Sequence, residues 1–117
     1  MAELKILHNP RCSKSRETLA LLQDKGLTPE VVEYLKEPLN VAELKTLYVQ
    51  LGLTDVTSMM RVKEAEYKDA GLDNPSTTDD ERFAAMAACP KLMERPVVIN
   101  GGVAKIGRPP ESVLDIL

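Results

Sequence analysis

The spacing of apolar positions changes along the chain, and each change predicts a different element. Leu4-Lys5-Ile6-Leu7 is a short apolar run that alternates at its start, which predicts a buried strand ending near His8, with Pro10 as the break. From Ser13 onward Leu19 and Leu22, and less strictly Ala20 and Leu21, take helical spacing, and Gly26 is a natural stop. After Pro29, the stretch Val31-Val32-Glu33-Tyr34-Leu35 is short and rich in β-formers, and it predicts a second strand. Strand, helix and strand with short connections form a parallel βαβ unit, which is right-handed in nearly all cases.

The middle of the chain has a different period. Leu44, Leu47, Tyr48 and Leu51 fall at helical intervals between Val41 and Leu51, and Gly52 closes the run. Shorter helical pieces are expected over Val56 to Arg61 and Glu64 to Ala70, with Gly71 as a stop. A loop follows at Asp73-Asn74-Pro75-Ser76. Thr78 to Asp80 can then cap a helix carrying Phe83, Met86 and Ala87, ended by Pro90. Strand patterning returns at Pro96 to Ile99 and Val103 to Ile106, and Asn100-Gly101 predicts the tight turn of a hairpin. Pro110 to Leu117 reads as a final amphipathic helix with Val113, Leu114 and Leu117 on one face. The order β-α-β, helices, β-β-α predicts a small α/β sandwich with a mixed four-stranded sheet and a helical insertion. It resembles the thioredoxin-like plan. One domain over residues 1–117 is expected, with an α/β core at about 1–37 and 91–117 and a helical section at about 38–90.

Composition narrows the function classes. A chain of 117 residues, 44% hydrophobic and 28% charged, can bury one ordinary core without metal or disulfide staples. With one Phe and three Tyr, it lacks the rings of a stacking platform for single-stranded nucleic acid. A net charge of −3 gives no overall pull toward DNA or acidic membranes, so any positive potential must be local. No apolar run approaches the roughly 18 residues that span a bilayer, and no secretion signal opens the chain, so a cytoplasmic protein is expected. Two cysteines, Cys12 and Cys89, do not make a disulfide framework and are expected to be reduced thiols. One His and two Cys cannot build a four-ligand zinc site, and no metal is expected.

The chemistry gathers at Cys12. It lies between a strand end and the first turn of a helix, where backbone N–H groups lack helical partners and the macrodipole is positive. Arg11, Lys14 and Arg16, with His8 as a further cation, are expected to lower the thiol pKa, and the thiolate is the nucleophilic form. The same N–H groups can cradle an oxyanion. A Cys-x-x-Cys pair would place its second thiol at Ser15, so this is a monothiol site. A phosphatase loop would need Arg where Thr18 stands. Any disulfide in turnover must use Cys89 or an external thiol such as glutathione. Cys89, after Ala87-Ala88 and with no basic cluster, reads as structural.

The segment His8-Asn9-Pro10-x-Cys12-x-x-Ser15-Arg16-x-Thr18-Leu19 resembles the active-site segment of the glutaredoxin-coupled arsenate reductase family, the ArsC family. The likeness continues through Met60-Arg61, Arg95-Pro96, Gly107-Arg108-Pro109 and Ser112 to Leu117, and so covers essentially the whole chain. Its Asn-Pro-Arg-Cys-Ser-Lys-Ser stretch resembles a chromosomal subgroup of that family. The resemblance implies that Arg61, Arg95 and Arg108 hold arsenate beside Cys12, with His8 and Ser15 helping to set the thiolate's charge and orientation. It implies a cis proline at Pro96 facing the cysteine. Glutathione as co-substrate, a glutaredoxin as partner and no bound cofactor are implied as well. Two other readings stay open: a regulator of the Spx type that binds RNA polymerase, and a glutathione-dependent thiol reductase with another substrate. Ser15 and the three arginines count against the regulator, since regulators of that type usually carry Cys-x-x-Cys.

Overall fold

In the computed structural model, which describes residues 4–117, the expected βαβ unit forms from Leu4–Leu7 (β1), Ser13–Asp24 (α1) and Glu30–Val32 (β2). The first three residues of the expected 1–37 core segment lie outside the described residues. β1 pairs with β2 in parallel, Leu7 opposite Val32. The second strand is shorter than its composition suggests. The Lys36 and Glu37 N–H groups both donate to the Glu33 carbonyl at 2.9 Å, which folds Tyr34 and Leu35 into a turn and takes them out of the ladder.

Val97–Asn100 (β3) and Val103–Ile106 (β4) form the predicted hairpin, and the sheet order is β2-β1-β3-β4 with β3 antiparallel to both neighbours. Asn100 pairs with Val103, so the turn is made by Gly101-Gly102 and not by Asn100-Gly101. Gly101 takes the left-handed conformation, φ 63°, that this tight turn requires. Released from the turn, the Asn100 side chain donates to the Ile116 carbonyl at 2.6 Å and anchors the carboxy-terminal segment.

Alternation along the strands divides the apolar side chains between two layers. Ile6 and Val98 face one side, where they meet Leu22 of α1 and Val113. Leu7, Val97 and Ala104 face the other, against Leu44 and Leu47 of α2 (Val41–Gln50) and Phe83 and Met86 of α4 (Asp79–Ala88). The intervening pieces are a 3₁₀ turn at Val56–Met59 and the short helix α3, Ala65–Asp69. Asn40 and Thr78 cap α2 and α4 through capping boxes with Glu43 and Glu81. The last segment, Pro110–Ile116, is a 3₁₀ helix, not the α-helix its pattern suggests. With three residues per turn, Pro110, Val113 and Ile116 align on the packed side, which leaves Leu114 and Leu117 exposed. Among the described residues no helix is long and apolar enough to cross a membrane.

A backbone bridge joins the helical section to the sheet. An isolated antiparallel bridge pairs Met60 with Met93; beside it Arg61 N–H donates to the Leu92 carbonyl at 2.7 Å and Glu94 N–H to the Met59 carbonyl at 2.8 Å. At the open end of the hairpin, Gly107 N–H donates to the Pro96 carbonyl at 2.9 Å and extends the β3–β4 pairing by one step. The Arg95–Pro96 and Arg108–Pro109 peptide bonds are both cis.

Gly107 has no room for a side chain. A Cβ there would lie 2.7 Å from Thr18 Oγ1, itself bonded to the Lys14 carbonyl, and 2.9 Å from Pro96 Cγ. Neither neighbour can swing away, so Gly107→Ala is expected to destabilise the protein by about 1–3 kcal/mol, as overpacking does. Urea denaturation followed by circular dichroism measures this directly; an unchanged midpoint would contradict the packing described.

Candidate functional site

The loop that presents Cys12 is built from its own polar atoms. His8 N–H donates to the Val32 carbonyl at 2.8 Å, ending β1 in register. Asn9 Oδ1 accepts from Arg11 N–H at 3.0 Å and the Asn9 carbonyl from Cys12 N–H at 3.0 Å, so the chain turns back toward α1. Ser15, fully buried in the first turn of α1, accepts the Asn9 N–H on its Oγ at 3.0 Å and lies 2.6 Å from His8 Nδ1. A neutral imidazole accepting the Ser15 hydroxyl proton satisfies both groups. Cys12 thus becomes the extended N-cap residue of α1, and its side chain caps nothing.

Burial pushes the Cys12 thiol up, but opposing influences win and hold it below its ordinary value. The backbone amide of Ser15 and the Arg95 guanidinium favour the anion, and the Lys14 amide and the Arg108 charge add to them. Arg108 Nη2 is 3.8 Å from Sγ. The open amides at the helix start therefore act as expected, whereas the neighbouring cations do not. Arg11 is exposed, Lys14 pairs with Glu17 at 3.5 Å, and Arg16 Nη1 donates to the Pro10 carbonyl at 3.0 Å. His8 is no cation either: burial lowers its pKa, and although Glu33 opposes this, Arg16 adds to the lowering. The expected flanking charges are replaced by two arginines distant in sequence, because side chains that follow one another around a helix start diverge into solvent.

Arg61, Arg95 and Arg108 line one cavity of about 370 Å³, together with Met60, Val62, Lys63, Glu64 and Glu94. The three reach it from separate elements: Arg61 from the Met60–Met93 bridge, Arg95 from the entry to β3, and Arg108 from the exit of β4. Arg108 Nε donates to the Arg95 carbonyl at 2.8 Å, which fixes the two relative to each other. Arg95 is the most enclosed, at 15% side-chain exposure, and its Nε and Nη1 are buried with no hydrogen-bond partner. Unpartnered guanidinium donors inside a cavity are suited to an oxyanion. Arg61 differs from the other two, since it is engaged by Glu64, whose second oxygen lies 3.6 Å from Lys91 Nζ.

Three contributors were not singled out by sequence. Asn9 shapes the loop. Tyr34, read only as a strand former, is buried beside the site: burial raises its phenol pKa, the Arg95 and Arg61 charges and the Asn9 side chain oppose that, and the Cys12 thiolate adds to it. Glu94 faces two of the arginines, and its place next to Arg95 in the chain was the available signal. Cys89 ends α4, partly buried against the helical core, as its reading as a structural residue predicts. Among the described residues no cluster of His, Cys, Asp or Glu is placed to hold a metal ion.

Comparison with known proteins places this arrangement. A model of the ArsC family matches residues 7–116. The chain is 49% identical to an arsenate reductase of Neisseria meningitidis serogroup B over 117 residues, the full length of both. It is 53% identical over 112 residues to an arsenate reductase of Haemophilus influenzae, covering 96% of this chain and 97% of that one. The solved structure of an arsenate reductase from Vibrio cholerae superposes with a TM-score of 0.96 at 56% identity, covering 97% of both chains. The mixed four-stranded sheet with helices is the thioredoxin-like fold of those structures. With its cysteine at the open end of α1 and three arginines around one cavity, the chain belongs to the ArsC family.

Proposed function

We propose that this protein reduces arsenate, with Cys12 as the nucleophile and Arg61, Arg95 and Arg108 as the oxyanion clamp. The observation that carries the reading is the approach of Arg108 Nη2 to within 3.8 Å of a sulfur whose pKa is held down. One guanidinium thereby touches both the nucleophile and the cavity that its substrate enters. The Cys12 thiolate attacks arsenic, an S–As bond forms, and one arsenate oxygen leaves as water after taking up protons. The arginines stabilise the charge spread over the remaining oxygens. His8 and Ser15 are positioning residues, since their mutual hydrogen bond sets the turn that aims the Ser15 N–H at the sulfur.

Reduction of As(V) to As(III) requires two electrons, and the described site offers one thiol. Ser15 stands where a resolving cysteine would be, so the electrons come from outside. Glutathione attacks the arsenate adduct and a glutaredoxin completes the reduction, which releases arsenite. Glutathione is then a co-substrate, no cofactor is bound, and the reaction is cytoplasmic, where such thiols are kept reduced. Turnover of arsenate with glutathione and glutaredoxin supplied tests the proposal; no arsenite above the uncatalysed level would refute it.

Cys12→Ser is expected to abolish arsenite formation while Cys89→Ser retains most of it, and equal loss in both would contradict a single nucleophile. Ultraviolet titration of the Cys89→Ser protein should find the remaining thiol ionising below the ordinary cysteine value. Replacing Arg95 or Arg108 with Gln removes a cation that favours the thiolate, so that midpoint should rise. Steady-state kinetics on the three arginine-to-Gln variants should show KM for arsenate raised about tenfold or more, the size expected for one charge-assisted hydrogen bond.

A further inference from the structure

Glu94 is an unexpected tenant of a cavity built from arginines. Its Oε1 lies 3.9 Å from Arg95 Nη1 and 3.9 Å from Arg108 Nε, so it is close enough to feel both charges and too far to hydrogen-bond either. Arg108 Nε already donates to the Arg95 carbonyl, and Arg95 Nη1 stays without a partner. The carboxylate therefore balances the arginines' charge at ion-pair distance and keeps its hydrogen-bond acceptors unused by them. Its backbone is tied to the Met59 carbonyl at 2.8 Å and its side chain is 28% exposed, which holds the acceptor at the cavity wall. Glu64, the other carboxylate in the lining, is engaged by Arg61 and Lys91. Glu94 is the lining carboxylate for which no donor is supplied by the described residues.

An ionised carboxylate only accepts hydrogen bonds. An incoming anion that carries an O–H can donate it to Glu94 while its bare oxygens take the guanidinium groups lining the cavity, and the O–H···O⁻ contact is of the stronger, charge-assisted kind. An anion of the same tetrahedral shape without a proton meets like charge at the same place. Sites that leave such a polar group unmatched discriminate well against the wrong ligand. We propose that Glu94 is a specificity-determining residue that selects protonated tetrahedral oxyanions, the arsenate class, and rejects proton-free ones such as sulfate. This inference rests on the reading of the cavity as the oxyanion site.

Isothermal titration of the wild-type and Glu94→Gln proteins with arsenate and with sulfate, without added thiol and at fixed ionic strength in chloride, tests it. Wild-type protein is expected to bind arsenate at least about tenfold more tightly than sulfate, the worth of one matched against one unmatched polar contact. In Glu94→Gln the carboxamide can donate to a bare oxygen, so sulfate should gain affinity and the ratio should fall toward one. An unchanged urea midpoint shows that the isosteric change leaves the fold intact. Arsenate binding with the same selectivity in both proteins would overturn the role of Glu94 alone. Failure of the wild-type protein to bind arsenate would overturn the oxyanion reading, and this inference with it.

Discussion

A sulfur anion in a partly buried place is unfavourable unless something nearby is more favourable still, and the organisation of this protein follows from how that balance is met. Removing the thiolate from water costs energy. The first-turn amides of α1 and the guanidinium groups of Arg95 and Arg108 return more than that cost. The amides are present because every helix start leaves N–H groups without partners, and the N-cap residue is a cysteine whose side chain caps none of them in the usual way. The guanidinium groups are present because the sheet carries them there.

Bringing three arginines together is a problem of tertiary structure, since their mutual repulsion opposes it. The fold meets the problem with backbone contacts. The bridge at Met60–Met93, flanked by the Arg61–Leu92 and Glu94–Met59 hydrogen bonds, fastens a segment of the helical section to the approach of β3. Arg108 is locked through its Nε to the Arg95 carbonyl and through Gly107 to Pro96. Beneath these contacts lies the larger of the two apolar layers, in which Leu7 and Val97 meet the side chains of α2 and α4. The helical section is in this sense the wall that supplies Arg61 and Glu64 to the cavity.

Charge in the cavity is mixed by design of its lining. Glu64 balances Arg61 and Lys91, and Glu94 stands near Arg95 and Arg108 without bonding to them. An all-cationic pocket would draw any anion, and two carboxylates among the cations turn general attraction into a pattern of donors and acceptors. Selectivity of this kind depends on where each proton sits, which fits a site where burial shifts the imidazole and the phenol while amides and guanidinium groups hold the thiol down.

Local pattern was sufficient for what depends on neighbours in the chain. The alternation of Leu4–Leu7, the stop at Gly26, the cap at Thr78 and the placement of Cys12 at a helix start are short-range consequences of side-chain period and of backbone groups left open, and each could be read from the sequence. The arginines were reachable only through resemblance, because nothing in the residues around Arg61 marks it as a neighbour of Arg95. Where local reading failed, a longer-range contact had taken the residue for another purpose. Asn100 left the turn to hold Ile116, Tyr34 left the strand for the core beside the thiol, and the last segment took three residues per turn, which set Pro110 and Val113 inward. The charged side chains beside Cys12 in sequence turn to partners or to solvent, and Arg108, far away in the chain, lies against the sulfur. Coulomb energy follows distance in space, and only the closing of the sheet and its bridges decides which charges become close.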